Sequence, residues 1–287
     1  MPLYSYMRKY LSLIKFSHTI FAMPFALIGF FLASKDSEPE WITLFYVVLC
    51  MIFARSAAMA FNRYIDKDID TANERTAKIR EIPNGTITAN NALLFVVVNS
   101  LLFIGITYLI NPLCLTLSPV ALLVILGYSY TKRFTALCHL ILGLGLSLAP
   151  IGAYLAVSGV FDFIPILFSF VVLFWVSGFD IIYSLQDEEF DKAQKLHSIP
   201  VLLGKKNALH LAKFLHFVTI LLLSQIGHYP EFGTFYWIGF WIFSALLIYQ
   251  HTLVKHNDLS KVSLAFFTTN GIASVIFGAF VLIDILN

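Results

Sequence analysis

Two stretches of this sequence carry residue types and spacings that could do chemistry. The first holds Asn62, Asp66 and Asp70, each four positions from the next. The second holds Asp180, Tyr183, Asp187 and Asp191, at steps of three, four and four. On a helix, residues three or four apart lie on one face. Stacked carboxylates at that spacing repel, and carboxylates close to hydrocarbon are expensive. A bound cation is the simplest compensation. Oxygen ligands without clustered His or Cys favour magnesium or manganese over zinc. Magnesium commonly takes one or two protein carboxylates and completes its shell with phosphate and water. Two such faces opposing one another could therefore hold a diphosphate through two or three metal ions.

The stretches are in phase. Asp66 to Asp187 and Asp70 to Asp191 are both 121 positions. Each stretch continues directly from an apolar run, so each ends a membrane helix. One such stretch alone reads equally well as a solvated acidic helix end, with Arg63, Lys67 and Lys192 as local partners. Two in register favour a shared site.

The elements that must position them follow from composition. Hydrophobic residues make up 59% of the 287 and charged residues 13%, against roughly 45–50% and 25% in soluble domains. The expectation is an all-α polytopic membrane protein. It has nine transmembrane helices, in two four-helix pseudo-repeats plus a final helix around a central cavity, and forms a single domain over 1–287. The apolar runs are 16–34, 42–61, 92–110, 113–131, 137–157, 163–180, 209–227, 235–254 and 263–285. Asn111-Pro112, Ser158-Gly159 and Tyr229-Pro230 break them. Arg8, Lys9 and Lys15 precede the first run and Ala33-Ser34 is a passable cleavage site, but eight further spans favour an uncleaved helix.

Charge tests this topology. With the N-terminus in the cytoplasm, only Lys35 among the Lys and Arg residues falls in an external loop, and Arg55 and Lys213 fall within helices. That is a strong positive-inside bias. It predicts that the N-terminus and both acidic stretches are cytoplasmic; a bacterial-type inner membrane is the expected location. Four helices separate the stretches, so both face the same side. Cys50, Cys114 and Cys138 have no CxxC spacing and read as packing residues. A formal charge of +2 and no basic tract with interleaved aromatics argue against nucleic acid.

At these residues the sequence resembles the UbiA family of intramembrane aromatic prenyltransferases. The family's NxxxDxxxD and DxxYxxxDxxxD motifs stand here as Asn62/Asp66/Asp70 and Asp180/Tyr183/Asp187/Asp191. The likeness extends over nearly the whole chain. It takes in Lys15-Phe-Ser-His18-Thr, Arg55-Ser-Ala-Ala-Met-Ala-Phe-Asn62, Tyr128-Ser-Tyr-Thr-Lys132-Arg133 and Leu196-His-Ser-Ile-Pro200. Its wording is similar to the 4-hydroxybenzoate polyprenyltransferases and their relatives in menaquinone synthesis by the futalosine route. One loop departs: Asn73-Glu-Arg75-Thr-Ala-Lys78-Ile-Arg80 has Glu where the family has Pro and one extra residue before Arg80. Either Lys78 or Arg80 matches the family arginine.

The resemblance implies transfer of a polyprenyl group from polyprenyl diphosphate to an aromatic acceptor, such as 4-hydroxybenzoate or a dihydroxynaphthoate, for ubiquinone or menaquinone. Asn62, Asp66, Asp70, Asp187 and Asp191 would hold Mg2+, with Mn2+ an alternative. Arg63, Lys78, Arg80, Lys132 and Arg133 lie on the same side as candidate phosphate contacts, Arg63 equally as a membrane anchor. Tyr183 is the aromatic best placed beside an allylic cation, or an interfacial anchor. Arg55, two turns deeper than Asn62, would bind an acceptor carboxylate or pair with Asp180. Asp180 would orient Arg55, bind the acceptor or take the ring proton. Lys15 and His18 are weaker acceptor candidates. The prenyl tail would lie in the apolar interior or exit into lipid.

A transporter with a cytoplasmic-side acidic cation site is the competing reading, because Pro24, Pro119 and Pro150 interrupt helices. Transporters place polar residues near the midplane, whereas these acids cluster at one face. A phosphatidyl-alcohol transferase also uses DxxxD, but the Asp-Gly…Ala-Arg element it needs is missing.

Overall fold

A computed structural model describes residues 9–14, 21–35, 40–230 and 232–287. Lys15 and His18 lie outside the described residues. Among the described residues the chain is helical, with long helices α1 (Met23–Ala33), α2 (Trp41–Ile65), α3 (Ala89–Ile110), α4 (Pro112–Thr131), α5 (Cys138–Ser158), α6 (Phe163–Ser184), α7 (Ile199–Ile226), α8 (Thr234–Leu253) and α9 (Asn270–Leu286). Seven described helices are long and apolar enough to cross a membrane, and the chain is a multi-pass membrane protein. The described part of α1 is apolar but shorter. The α8 sequence carries Thr, Tyr, Trp, Gln and His among its apolar residues, which lowers its hydropathy.

Helix ends follow local chemistry. Asn111 caps α4 by accepting the Cys114 N–H, and Pro112 sits in the first turn. Gly159, at φ 65°, ends α5 in the left-handed conformation glycine tolerates. The expected start of the seventh helix at 209 is ten residues late. Ser198 caps α7 and Pro200 follows, and Gly204 at φ 74° then kinks the helix. The kink and the polar Lys205-Lys206-Asn207 after it separate the short apolar turn Ile199-Pro-Val-Leu-Leu203 from the longer apolar run, which is why hydropathy found only the latter. The α8 N-terminus has no cap of its own; Asp284 of α9 accepts the N–H groups of Gly233, Phe235 and Tyr236 at 2.6, 3.2 and 2.8 Å.

The packing repeats at one pair of helices in each half and not at another: α5 packs closely on α6, whereas their counterparts α1 and α2 barely touch. The α2–α3 pair and the α6–α7 pair are each closely packed, four helices apart. The α1 helix packs chiefly on α5 and α9. Glycines permit close approach: a Cβ on Gly29 would collide with the Pro150 carbonyl oxygen where α1 meets α5, and one on Gly143 would stand 2.5 Å from that of Leu173 where α5 meets α6. The second half is filled by aromatics, with Trp175, Tyr236, Phe243 and Phe277 fully buried. Space remains instead between α2, α3, α4 and α5, in an apolar cavity of about 400 Å3.

Candidate active site

Both acidic stretches run on from their apolar helices, and both helices break at the corresponding residue. Asp66 ends α2 at φ −90°, ψ 7° and precedes the short helix Lys67–Ala72. Asp187 closes a single 3-10 turn at φ −102°, ψ 1° and precedes the short helix Glu188–Ala193. The two residues 121 positions apart thus share a backbone conformation in the bridge region, which is sparsely occupied and common at active sites. The carboxylates therefore follow a bent path rather than one straight helical face.

Asp66 is 2% exposed and Asp70 3%. Buried carboxylates need partners, and bases supply them. Asp66 accepts from Asn62 Nδ2 at 3.0 Å and Arg133 Nη2 at 3.0 Å, and Lys132 Nζ lies 3.4 Å away. Arg133 also donates to the Ile65 carbonyl, so it clamps the α2 end itself. Asp70 pairs with Arg80. Lys78 is exposed and makes no ion pair among the described residues, so of the two loop cations it is Arg80 that reaches the carboxylates. Arg63 is buried and donates to Asn62 Oδ1 at 3.0 Å. Asp191 is buried and within electrostatic reach of Lys132.

The two stretches meet through a residue the sequence did not single out. Arg75 Nη2 lies 2.6 Å from Asp187 Oδ2 and 2.8 Å from Oδ1, and Nη1 donates to the Tyr183 hydroxyl at 3.3 Å. Asn73 Nδ2 reaches Asp187 Oδ1 at 3.5 Å. Burial alone would lower the Arg75 pKa, but Asp187 and Tyr183 hold it above its ordinary value. Tyr183 in turn packs on Phe266, with ring centroids 4.3 Å apart, and Phe266 packs on Phe179 and Phe267. Phe266 stands in a π-helical stretch, Leu264–Thr269, whose carbonyls accept from Gln250 and Asn270 side chains.

Deeper in, Arg55 lines the apolar cavity together with Tyr128, and its Nε is buried without a hydrogen-bond partner. The cavity follows α5 from Leu142 to Ala156, a span of about 20 Å at 1.5 Å per residue. Arg55 does not pair with Asp180. His139 of α5 takes that place, with Nδ1 2.7 Å from Asp180 Oδ2. An i+4 reading could not have found His139, because it sits on another helix, 41 positions away.

The donor set suits a hard divalent cation. Among the described residues no three His, Cys, Asp or Glu side chains already converge on one point. The oxygens available are nonetheless carboxylate and amide oxygens, and buried Asp70 Oδ2 has no partner. Magnesium needs few protein ligands when a diphosphate supplies the rest.

A bundle of membrane helices with paired carboxylate ends over an apolar cavity defines the class, an intramembrane transferase. The UbiA prenyltransferase family model matches residues 22–272, and the chain belongs to that family; it is a prenyltransferase. The 4-hydroxybenzoate octaprenyltransferase of Vibrio campbellii is 30% identical over 245 residues, covering 85% of each chain. That of Aeromonas hydrophila is 28% identical over 249 residues, covering 87% of this chain and 86% of the relative. The apo structure of a UbiA homologue from Aeropyrum pernix superposes with a TM-score of 0.83 at 29% identity, over 93% of this chain and 98% of that one. A UbiA homologue from Archaeoglobus fulgidus, solved with DMAPP and Mg2+, has the same fold, with a TM-score of 0.72 at 21% identity over 97% and 99%.

Proposed function

We propose that the protein transfers a polyprenyl group from its diphosphate to an aromatic ring, 4-hydroxybenzoate or a dihydroxynaphthoate, for ubiquinone or menaquinone. The observation that supports the reading is the Arg75–Asp187 contact, which joins the end of α6 to the loop after α2, the same loop whose Arg80 pairs with Asp70. The relatives' shared name, 4-hydroxybenzoate octaprenyltransferase, supports the acceptor class.

Asn62, Asp66, Asp70, Asp187 and Asp191 would hold Mg2+. Bound there, it neutralises charge on the departing diphosphate. The chain's own residues do the rest. Arg75, Arg80, Lys132 and Arg133, which pair with carboxylates here, are the cations that would contact phosphate oxygens. Asn62 is held for its task by Arg63. Tyr183, with Phe266 behind it, presents an aromatic face that stabilises an allylic cation without reacting. Arg55 meets the acceptor carboxylate at the polar end of the cavity. The apolar walls beyond it house the prenyl tail and keep water from the cation. Positive-inside charge supports a cytoplasmic site in a bacterial inner membrane.

The test incubates membranes holding the protein with an allylic polyprenyl diphosphate, Mg2+ and a panel of hydroxylated aromatic acids. Prenylated product that disappears with chelator or with Asp66→Ala supports the reading. Solute flux without diphosphate consumption would favour a transporter.

A further inference from the structure

His139 is 4% exposed at the start of α5, where a leucine would pack at lower cost. Both its ring nitrogens have partners. Ile199, the first residue of α7, has one of the N–H groups that a helix leaves free in its first turn. That N–H donates to His139 Nε2 at 3.3 Å. An imidazole nitrogen that accepts carries no proton, so the proton sits on Nδ1 and is donated to Asp180 Oδ2. The positive end of α7 disfavours a second proton on the ring. The Ser177 hydroxyl of α6 donates to the Leu173 carbonyl at 2.7 Å and also lies 3.2 Å from the His139 carbonyl, so the α5 backbone packs closely on the helix that carries Asp180.

Asp180 is therefore aimed without being neutralised. One oxygen is held by a neutral donor, and no hydrogen bond reaches Oδ1 among the described residues. The side chain is 21% exposed. Tyr128 lies within its electrostatic reach and also lines the cavity end that holds Arg55. The other titratable groups around the pair are Cys138 beside His139, and Asp191, which senses the imidazole at longer range.

We propose that His139 is a positioning residue for proton removal from the acceptor: it orients Asp180 so that Oδ1 takes the ring proton. The inference rests on the prenyl-transfer reading above. In that reaction the ring carbon ortho to the hydroxyl forms a bond to C1 of the prenyl group. The C1–O bond breaks and its electron pair leaves with diphosphate. The ring C–H pair then restores aromaticity, and the proton passes to Asp180 Oδ1. Release of that proton to water resets the carboxylate.

The experiment compares wild type, His139→Ala, His139→Asn, Asp180→Ala and the His139→Ala/Asp180→Ala double variant. The probes are geranyl diphosphate, Mg2+ and 4-hydroxybenzoate with or without deuterium ortho to the hydroxyl. His139→Ala is expected to lower kcat ~10- to 100-fold. Both KM values should stay within about twofold. Asn, which places an N–H donor near the Nδ1 position, should recover most of the loss. The double variant should be no slower than Asp180→Ala, and the deuterium effect on kcat should be larger in His139→Ala than in wild type. Melting temperatures in detergent accompany each variant. Unchanged kcat in His139→Ala overturns the inference, as do multiplying losses in the double variant, or a loss that follows the melting temperature and is not recovered by Asn. Where His139→Ala does not fold, Asn against Gln decides: the inference requires the Asn variant to be the faster. A wild type inactive on every acceptor overturns the prenyl-transfer reading and this one together, whereas an active wild type with a normal His139→Ala overturns this one alone.

Discussion

Arg75 Nη2 lies 2.8 Å from Asp187 Oδ1 and 2.6 Å from Oδ2, closing a loop across 112 positions of sequence. The contact joins the two halves of the pseudo-repeat at their acidic ends. On the proposed function, it would also put a planar, permanently charged group beside the diphosphate. Arg75→Lys keeps the charge and loses the fork. Its KM for the prenyl diphosphate is expected to rise about tenfold, the scale of a lost charged hydrogen bond, with KM for the acceptor unchanged. Steady-state kinetics with each substrate varied in turn will check this.

Arg55 is the cation whose buried Nε lacks a partner and whose side chain lines the cavity. Arg55→Met is expected to raise KM for a carboxylated acceptor at least ~10-fold, since a carboxylate would then lose its charged donor. A hydroxylated aromatic without a carboxylate should lose far less. An equal loss on both acceptors would assign Arg55 a structural role.

Asp284 bonds three N–H groups at the start of α8, at the opposite membrane face from the acidic ends. Asp284→Ala leaves them without that cap and is expected to cost about 1–2 kcal/mol, the usual range for a lost N-cap. The melting temperature in detergent should fall while kcat and both KM values at the melting-corrected concentration stay at wild type.

Gly29 faces the Pro150 carbonyl where α1 crosses α5. A methyl group there meets backbone rather than a movable side chain, so Gly29→Ala must push the helices apart. Overpacking of this kind costs about 1–3 kcal/mol. Thermal unfolding will read it, and Gly152→Ala, where a Cβ meets nothing within 4 Å, is the matched control expected to leave the melting temperature in place.

Hydropathy located the helix runs because bilayer-facing segments need unbroken apolar residues, whatever they pack against. It missed the α7 start, where Pro200 and Gly204 shape a short apolar turn that the polar Lys205-Lys206-Asn207 cuts off from the longer apolar run. It also could not see where the bends fall: Asp66 and Asp187 look like any other members of a four-residue ladder, yet each is the residue at which its helix breaks. The acids were legible because their spacing repeats at one interval. Their partners were not. Arg75 stands among several loop cations of equal appearance, and His139 is one polar residue at the end of an apolar helix. Contacts between helices 41 or 112 positions apart depend on packing, which local periodicity does not encode.

The most direct test is anomalous diffraction from crystals grown with Mn2+ and a geranyl diphosphate analogue whose bridging oxygen is sulfur, so that it resists cleavage. Manganese peaks should lie between the diphosphate and both carboxylate groups, Asp66 and Asp70 on one side and Asp187 and Asp191 on the other, with Arg75 moved from Asp187 onto phosphate. Metal bound by one group alone, or diphosphate bound with the Arg75–Asp187 pair intact and no metal beside it, would contradict a shared site.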